Sequence, residues 1–188
     1  MGIKILGLDM ALSNAGIAMT EYNAETNTLG VIALELVKTK PSKDKKRRRN
    51  LDDLSRILHI IKRVRSYIDD CDVIIAEIPT GAQSSRAAFA FGMVLGALAS
   101  FMLDKEIIPV MPTDRGMAIL NVKSVSKEEV IDWAVNKYPH ANWPRLRDKA
   151  DGRITNDAEH LADALAIIHA RIKKSEFQKY MKNKTDNP

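Results

Sequence analysis

Asp9, Glu77 and Asp163 are the residues of this sequence whose setting points to chemistry. Asp9 closes the apolar run Ile5, Leu6, Gly7, Leu8, and Glu77 closes a second run, Val73, Ile74, Ile75, Ala76. Asp163 stands amid Leu161, Ala164, Leu165, Ile167 and Ile168. An acid in such surroundings is costly unless it faces a cleft or binds a cation. Each taken alone has an ordinary explanation: a solvent-facing acid at a strand end for Asp9 and Glu77, a boundary salt bridge for Asp163. Three together are harder to dismiss. Carboxylates brought within ~4–6 Å raise one another's pKa, and a divalent cation removes that cost. Oxygen ligands suit Mg2+ or Mn2+, and an imidazole is compatible with Mn2+. His160 and Glu159, three and four residues before Asp163, can share its helical face. Two metals ~3.5–4 Å apart can activate water and stabilise the leaving oxygen in phosphodiester hydrolysis. In that scheme Asp9 bridges both metals, Glu77 holds one, and Asp163 with His160 holds the other. No covalent nucleophile is required.

The charge distribution points to a polyanion. Lys and Arg total 29 against 24 acids, for a net charge of +5. The segment from Lys38 to Arg49 concentrates eight basic residues around one acid, Asp44. Such a block favours a phosphate backbone, with contact weakened by salt; its alternative is a solvated loop. The single cysteine, Cys71, excludes a disulfide within the chain and a cysteine-cluster zinc site. It fits a reducing compartment. No apolar run reaches the ~18 residues of a membrane span. The first strand begins close to Met1, leaving no room for a signal peptide. A soluble, cytoplasmic protein is expected.

These residues need elements to position them. Ile3, Ile5 and Leu8 predict a first strand, Gly16 to Tyr22 its hairpin partner, and Thr28 to Val37 a third strand. Asn14 with Gly16 supplies turn character between the first two. Asn50, with Asp53 three residues on, predicts the start of a helix whose apolar positions run from Leu51 to Ile68. Val73 to Glu77 is apolar enough for a parallel strand buried on both faces. A helix is expected from about Ser84 to Met102, rich in Ala and Gly, then a strand at Ile107 to Val110. Ser126 with Glu129 forms a capping box for a helix ending near Tyr138. Pro139 to Arg153 reads as irregular, and a last helix runs from Asn156 or Asp157 to about Ile172. The sum is one α/β domain, residues 1–172, with a mixed five-stranded sheet and helices on both faces, and a flexible basic tail, 173–188.

At these motifs the chain resembles the RuvC family of Holliday-junction resolvases, within the ribonuclease H-like superfamily. The match is ordered and spans roughly residues 3 to 172. ILGLDMALSNAGIAM resembles the first catalytic strand and points to Asp9. VIIAE resembles the second motif and points to Glu77; GAQSSRAAFAFGMVLGAL resembles the glycine-punctuated helix that follows. HLADALAIIHA resembles the last motif, pointing to Asp163 and to His160, with Glu159 and Asp157 as alternatives to the histidine. The compact bacteriophage-type members are the nearer likeness, which would place the protein in a host cytoplasm. The resemblance implies a Mg2+-dependent endonuclease, two metals per site with Mn2+ as a substitute, acting on branched DNA as a two-fold dimer. The helix from Asn50 to Ile68 is the expected interface.

The chain also departs from the family. Ile78 and Pro79 follow Glu77 where an aromatic is common, leaving Phe89 or Phe91 as substitutes, though helix packing is their simpler role. The family's lysine, glycine turn, second lysine pattern is reduced to Lys127 in the second position; Arg115 falls nearest the first, with Lys123 another candidate. Lys127 is expected near the scissile phosphate. Further DNA contacts are expected from Arg47, Arg48 and Arg49 and from a second basic group, Arg145, Arg147, Lys149 and Arg153. Phosphate contacts position DNA without naming a sequence. Trp133 reads as core, whereas Trp143 beside Pro144 reads as exposed and able to stack on a base. The favoured reading is a resolvase of four-way junctions. The close alternative is a debranching nuclease cutting Y-junctions, flaps and forks. A noncatalytic DNA-structure binder is disfavoured by three acids near phosphate, and a small ATPase or phosphotransferase by the lack of adenosine and second phosphate-binding elements.

Overall fold

The computed structural model describes residues 2–148, 152–172 and 174–186. Strands β1 (Gly2–Met10), β2 (Asn14–Asn23) and β3 (Thr28–Lys38) form an antiparallel meander, as the alternating apolar pattern predicts. Helix α1 (Arg49–Ile68) leads to β4 (Val73–Glu77), which pairs parallel with β1. Helix α2 (Ser85–Phe101) leads to β5 (Ile107–Val110), parallel to β4. The sheet order is β3-β2-β1-β4-β5. Helices α3 (Pro112–Ile119), α4 (Lys127–Lys137), α5 (Ala158–Ile172) and α6 (Ser175–Asp186) complete the described elements, with a 3-10 turn at Leu146–Asp148.

Strand periodicity sorts β1 and β4 into two faces. Leu6, Leu8, Met10, Ile74 and Ala76 pack with Ile57, Ile60 and Val64 of α1 and Val94, Leu98 and Phe101 of α2. Ile3, Ile5, Val73 and Ile75 face α5, with Val130 and Ala134 of α4 behind it. Both faces are covered, so the central strands are buried on both sides. The face alternation puts Asp9 and Glu77, which continue the Ile5 and Ile75 rows, on the α5 side at the C-terminal ends of neighbouring parallel strands.

Two glycines let α5 lie directly on the sheet. A Cβ on Gly16 would sit 2.0 Å from the carbonyl oxygen of His160, and one on Gly7 would sit 2.4 Å from that of Ala164. Gly16 is therefore a contact residue inside β2, paired with Asp9, and the turn before it is formed by Ala11 to Ser13. The expected turn role of Asn14 and Gly16 gives way to this approach.

Other expectations also shift. Arg48 occupies the N-cap of α1 with no side-chain cap, and Asn50 lies inside the helix. Asp53 is buried instead of capping: Arg56 Nη1 lies 3.0 Å from it and Arg86 Nη2 of α2 lies 2.6 Å from it. Helix α3 was not expected, because a short helix holding Pro112 and Gly116 shows little periodicity; proline at its first position and Asp114 accepting the Met111 N–H start it. The segment after Lys173, expected to be a flexible tail, contains α6. Phe177 there is fully buried and meets the Tyr22 ring edge-on at 5.7 Å, which gives the segment an apolar anchor. Trp143, expected exposed, is buried, and its indole N–H donates to the Tyr138 carbonyl at 2.8 Å.

Gly16→Ala is expected to destabilise the protein by about 1–3 kcal/mol, the usual cost of forcing extra volume into a packed contact. Urea denaturation of the variant beside wild type measures it; an unchanged midpoint would mean that α5 does not rest on β2 as described.

Candidate active site

The C-terminal ends of parallel strands are where open α/β sheets place their ligand crevices. Here β1 contributes Asp9, β4 contributes Glu77, and the first two turns of α5 cover both with His160 and Asp163. The four residues expected to act together are thus brought to one place from sequence positions as much as 154 residues apart (163 − 9). Their contacts are specific. His160 Nδ1 donates to Asp9 Oδ2 at 2.8 Å. This leaves only Nε2 of His160 for any other ligand.

Arg115 also enters this group from α3. Its Nη1 lies 2.7 Å from Asp163 Oδ2 and 3.9 Å from Glu77 Oε2. Expected as a DNA contact, it sits between two of the acids. The sequence carried one indirect sign: Arg115 follows shortly after the end of β5, the third parallel strand, whose C-terminal end lies beside that of β4.

The electrostatics are those of a partly desolvated acid cluster. Asp163 is 6% exposed. Burial first, then the charge of Asp9, push its carboxyl up to about 7, against the pull of Arg115. Burial and then Asp9 likewise raise Glu77 above the ordinary carboxylate range. The hydrogen bond to Asp9 raises His160 above the usual imidazole value despite burial. Glu77 Oε2 is buried and accepts no hydrogen bond. Among the described residues, no three His, Cys, Asp or Glu side chains are grouped ready to hold a metal ion. Arg115 and His160 instead take up the carboxylates by pairs. The donor set nonetheless fits a hard divalent cation: neighbouring carboxylate oxygens, two of them on groups whose charged form is disfavoured by burial and mutual repulsion, and one buried oxygen without a hydrogen bond.

The two alternatives to His160 have cationic partners. Lys127 Nζ contacts Glu159 at 2.9 Å, and Lys38 Nζ pairs with Asp157. Lys127 therefore stands at the first turn of α5, beside the acid group, with 71% of its side chain exposed.

The remaining basic residues are spread around the same end of the sheet or beyond it. Lys38 closes β3 next to Asn14, so the Lys38–Arg49 block leaves the sheet at the end where Asp9 stands. Arg47, Arg48 and Arg49 are exposed, with Arg47 Nε 3.3 Å from Asp52. Lys123 lies in the exposed loop after α3. Arg145 braces its own loop by donating to the Gly152 carbonyl at 2.9 Å, and Arg147 is exposed with a left-handed φ of 59°. Arg153 is exposed, and Lys149 lies outside the described residues. Phe89 is 42% exposed, with the Arg86 guanidinium 5.7 Å from its ring centre. Cys71 is buried, and burial pushes its thiol up to about 11, so it is a poor nucleophile.

No protein-family model matches the sequence, and no curated protein is significantly similar to it. Solved structures are similar. Thermus thermophilus RuvC in complex with a Holliday junction substrate matches with a TM-score of 0.67 and 20% identity over 96% of each chain. The chain has the RuvC fold. A second Thermus thermophilus RuvC structure matches at a TM-score of 0.65 and 21% identity, over 96% of this chain and 97% of that one. Fowlpox virus resolvase, in complex with its substrate Holliday junction DNA, matches at 0.58 and 17% identity, over 92% of this chain and all of that one. The RuvC fold is thus kept across nearly the whole length, as a five-stranded mixed sheet with helices on both faces. Among the described residues, no helix is long and apolar enough to cross a membrane.

The raised groups fix the sign of a pH effect. The native protein keeps the Asp163 proton up to about pH 7, whereas an unfolded chain releases it near ~4. Native stability from this group is therefore full below ~4 and is lost as pH rises toward 7. His160, raised above its unfolded value of ~6.5, acts in the same direction at higher pH. In chelator, wild type should lose melting temperature relative to Asp163→Asn as pH is raised from 5 to 8, with Mg2+ or Mn2+ recovering wild type at pH 8. A pH-independent difference between the two proteins would contradict the cluster.

Proposed function

We propose that this protein is a divalent-metal-dependent endodeoxyribonuclease that resolves four-way DNA junctions by paired hydrolysis of two strands. One observation carries the reading: a RuvC fold spanning the chain brings Asp9, Glu77 and Asp163 to one end of the sheet. Asp9, Glu77, Asp163 and His160 would hold the metal. Mg2+, two ions per site, is the proposed cofactor, and Mn2+ a substitute. Bound there, divalent metal supplies an activated water and stabilises the leaving oxygen.

The protein's own groups divide the remaining work. Asp9 orients His160 through the Nδ1 hydrogen bond, which fixes the imidazole tautomer. α5 shields the acids from bulk water, which strengthens every charge interaction beneath it. Lys127 is proposed to meet a phosphate beside the scissile bond. Its pair with Glu159 is exposed and solvent-screened, so it yields readily to a phosphate. Arg47, Arg48, Arg49, Lys123, Arg145 and Arg147 are proposed to hold DNA arms, and Arg115 stands close enough to the acids to reach DNA bound there.

Paired cuts call for two sites, and a two-fold dimer through α1 is proposed to supply them. Leu51, Leu54 and Leu58 line up on that helix and are each about half exposed, a stripe left over after the helix covers the sheet. The cytoplasm is the proposed compartment, of a host if the protein comes from a bacteriophage. A second reading, broader cutting of Y-junctions, flaps and forks, draws on the absence of an aromatic directly after Glu77; the exposed Phe89 lies twelve residues on (89 − 77).

Cleavage of a four-way junction, a Y-junction, a flap and linear duplex, each with Mg2+, Mn2+ or chelator, tests both readings. Symmetric nicks confined to the four-way junction are expected; comparable cutting of the others would favour the broader activity. Asp9→Asn and Asp163→Asn should each lose at least about 100-fold in cleavage rate, the scale of removing one preorganised charged group, while still binding the junction. Cleavage at the wild-type rate by either variant would refute the site.

A further inference from the structure

The positive charge closest to Asp163 is supplied by the protein. Arg115 Nη1 makes a 2.7 Å contact with Asp163 but lies 3.9 Å from Glu77. The fit is incomplete. Arg115 Nε and Glu77 Oε2 are both buried without a hydrogen-bond partner. A guanidinium is a planar fork able to engage a carboxylate through two N–H groups at once. Here Nη1 contacts one oxygen of Asp163, while a buried donor and a buried acceptor stay unmet. Arg115 thus meets the acids through one short contact, at Nη1.

The comparison with the rest of the molecule sharpens the point. Asp53, also buried and also with one oxygen, Oδ2, lacking a hydrogen bond, has two arginines from two helices beside it, and one of them, Arg56, is itself 7% exposed and further bonded to Thr39, Ser13 and the Leu12 carbonyl. Arg63 engages Glu35 through two bonds of 2.8 and 2.7 Å. Among the described residues, Arg115 has neither a second arginine beside it nor a two-bond fork on its carboxylate.

The backbone of α3 does not depend on the Arg115 contact. Asp114 Oδ2, next along the helix, lies 3.2 Å from Arg171 Nη2 of α5. Gly116 packs so closely that a Cβ there would lie 2.6 Å from the Val122 carbonyl. With α3 tied to α5 through Asp114, the Arg115 side chain can leave the acids while that tie remains.

We propose that Arg115 is a resident counter-cation of the carboxylate site, which a divalent ion must displace to bind. The inference rests on the metal-site reading above. A guanidinium and a divalent cation on the same carboxylates repel, so the two are alternatives. Arg115 thereby stabilises the metal-free protein and weakens its apparent metal affinity, because only the fraction of molecules with Arg115 withdrawn can accept the ion. The residue is a positioning and regulatory group for the metal, acting before DNA is present.

The test is Mn2+ binding without DNA, followed by calorimetry and by the electron paramagnetic resonance of free Mn2+, on full-length wild type, R115Q, R115K and D163N. R115Q should bind Mn2+ at least about tenfold more tightly than wild type, R115K should fall between, and D163N should lose binding. In chelator R115Q should melt below wild type, and Mn2+ should raise its melting temperature by more. If R115Q folds only when Mn2+ is added, recovery of its circular dichroism by Mn2+ is the same result in stronger form. Equal or weaker Mn2+ binding by R115Q, with D163N still losing it, would overturn the role of Arg115 and leave the metal site standing. Absence of Mn2+ binding in every protein would overturn both.

Discussion

Burying several carboxylates together is the constraint on which the rest of this structure depends. Desolvation and mutual repulsion both oppose it, and their effect is visible in Asp163, held up to about 7. The fold imposes this by laying α5 on the ends of β1 and β4 with almost no space between. Gly7 and Gly16 make that contact possible, since a side chain at either position would collide with the helix backbone. The His160–Asp9 hydrogen bond and the Arg115–Asp163 ion pair are the local compensation.

The surrounding architecture keeps that arrangement from relaxing. Two separate apolar clusters, one on each face, clamp the sheet. Close-packed interiors yield little to local strain, so acids at the strand ends cannot drift apart. Helix α5 is buried along nearly its whole length and contacts both clusters' strands, which makes it a central element instead of a surface helix. Farther out, the buried Asp53 draws Arg56 of α1 and Arg86 of α2 together, and Arg56 reaches the β1–β2 turn at Leu12 and Ser13. The turn immediately after Asp9 is thereby tied to both helices on the opposite face. These polar ties join the site to its support without adding to the acid cluster itself.

Legibility in the sequence followed the strength of the local signal. The meander, β4 and β5 were visible because their apolar residues alternate or run continuously over short lengths. The capping box at Ser126 and Glu129 was visible because both partners lie within one turn and bond there. Asp9, Glu77 and Asp163 stood out as acids closing or interrupting apolar runs. Helix α3 escaped because its eight residues include proline and glycine. The N-cap of α1 was misplaced because Asp53 turns into the core toward Arg56, one turn on, and Arg86 of α2, and the second of these partners is recorded by no local spacing. Trp143 was read as outward because its indole bond to the Tyr138 carbonyl closes inside an irregular segment without periodicity, and the tail holding Phe177 was read as loose because its apolar partner, Tyr22, stands on a distant strand.

The positions of the strands, the alternation of faces along each and the identity of the acids were determined by the sequence itself, since side-chain alternation and apolar patterning act over a few residues. What α5 covers, how closely it approaches, and which cation stands among the acids were decided only in three dimensions. Arg115 shows why. Its meeting with Asp163 depends on β5 lying beside β4 and on α3 folding back over both, and the energy of that meeting arises from burial, which no stretch of sequence possesses alone.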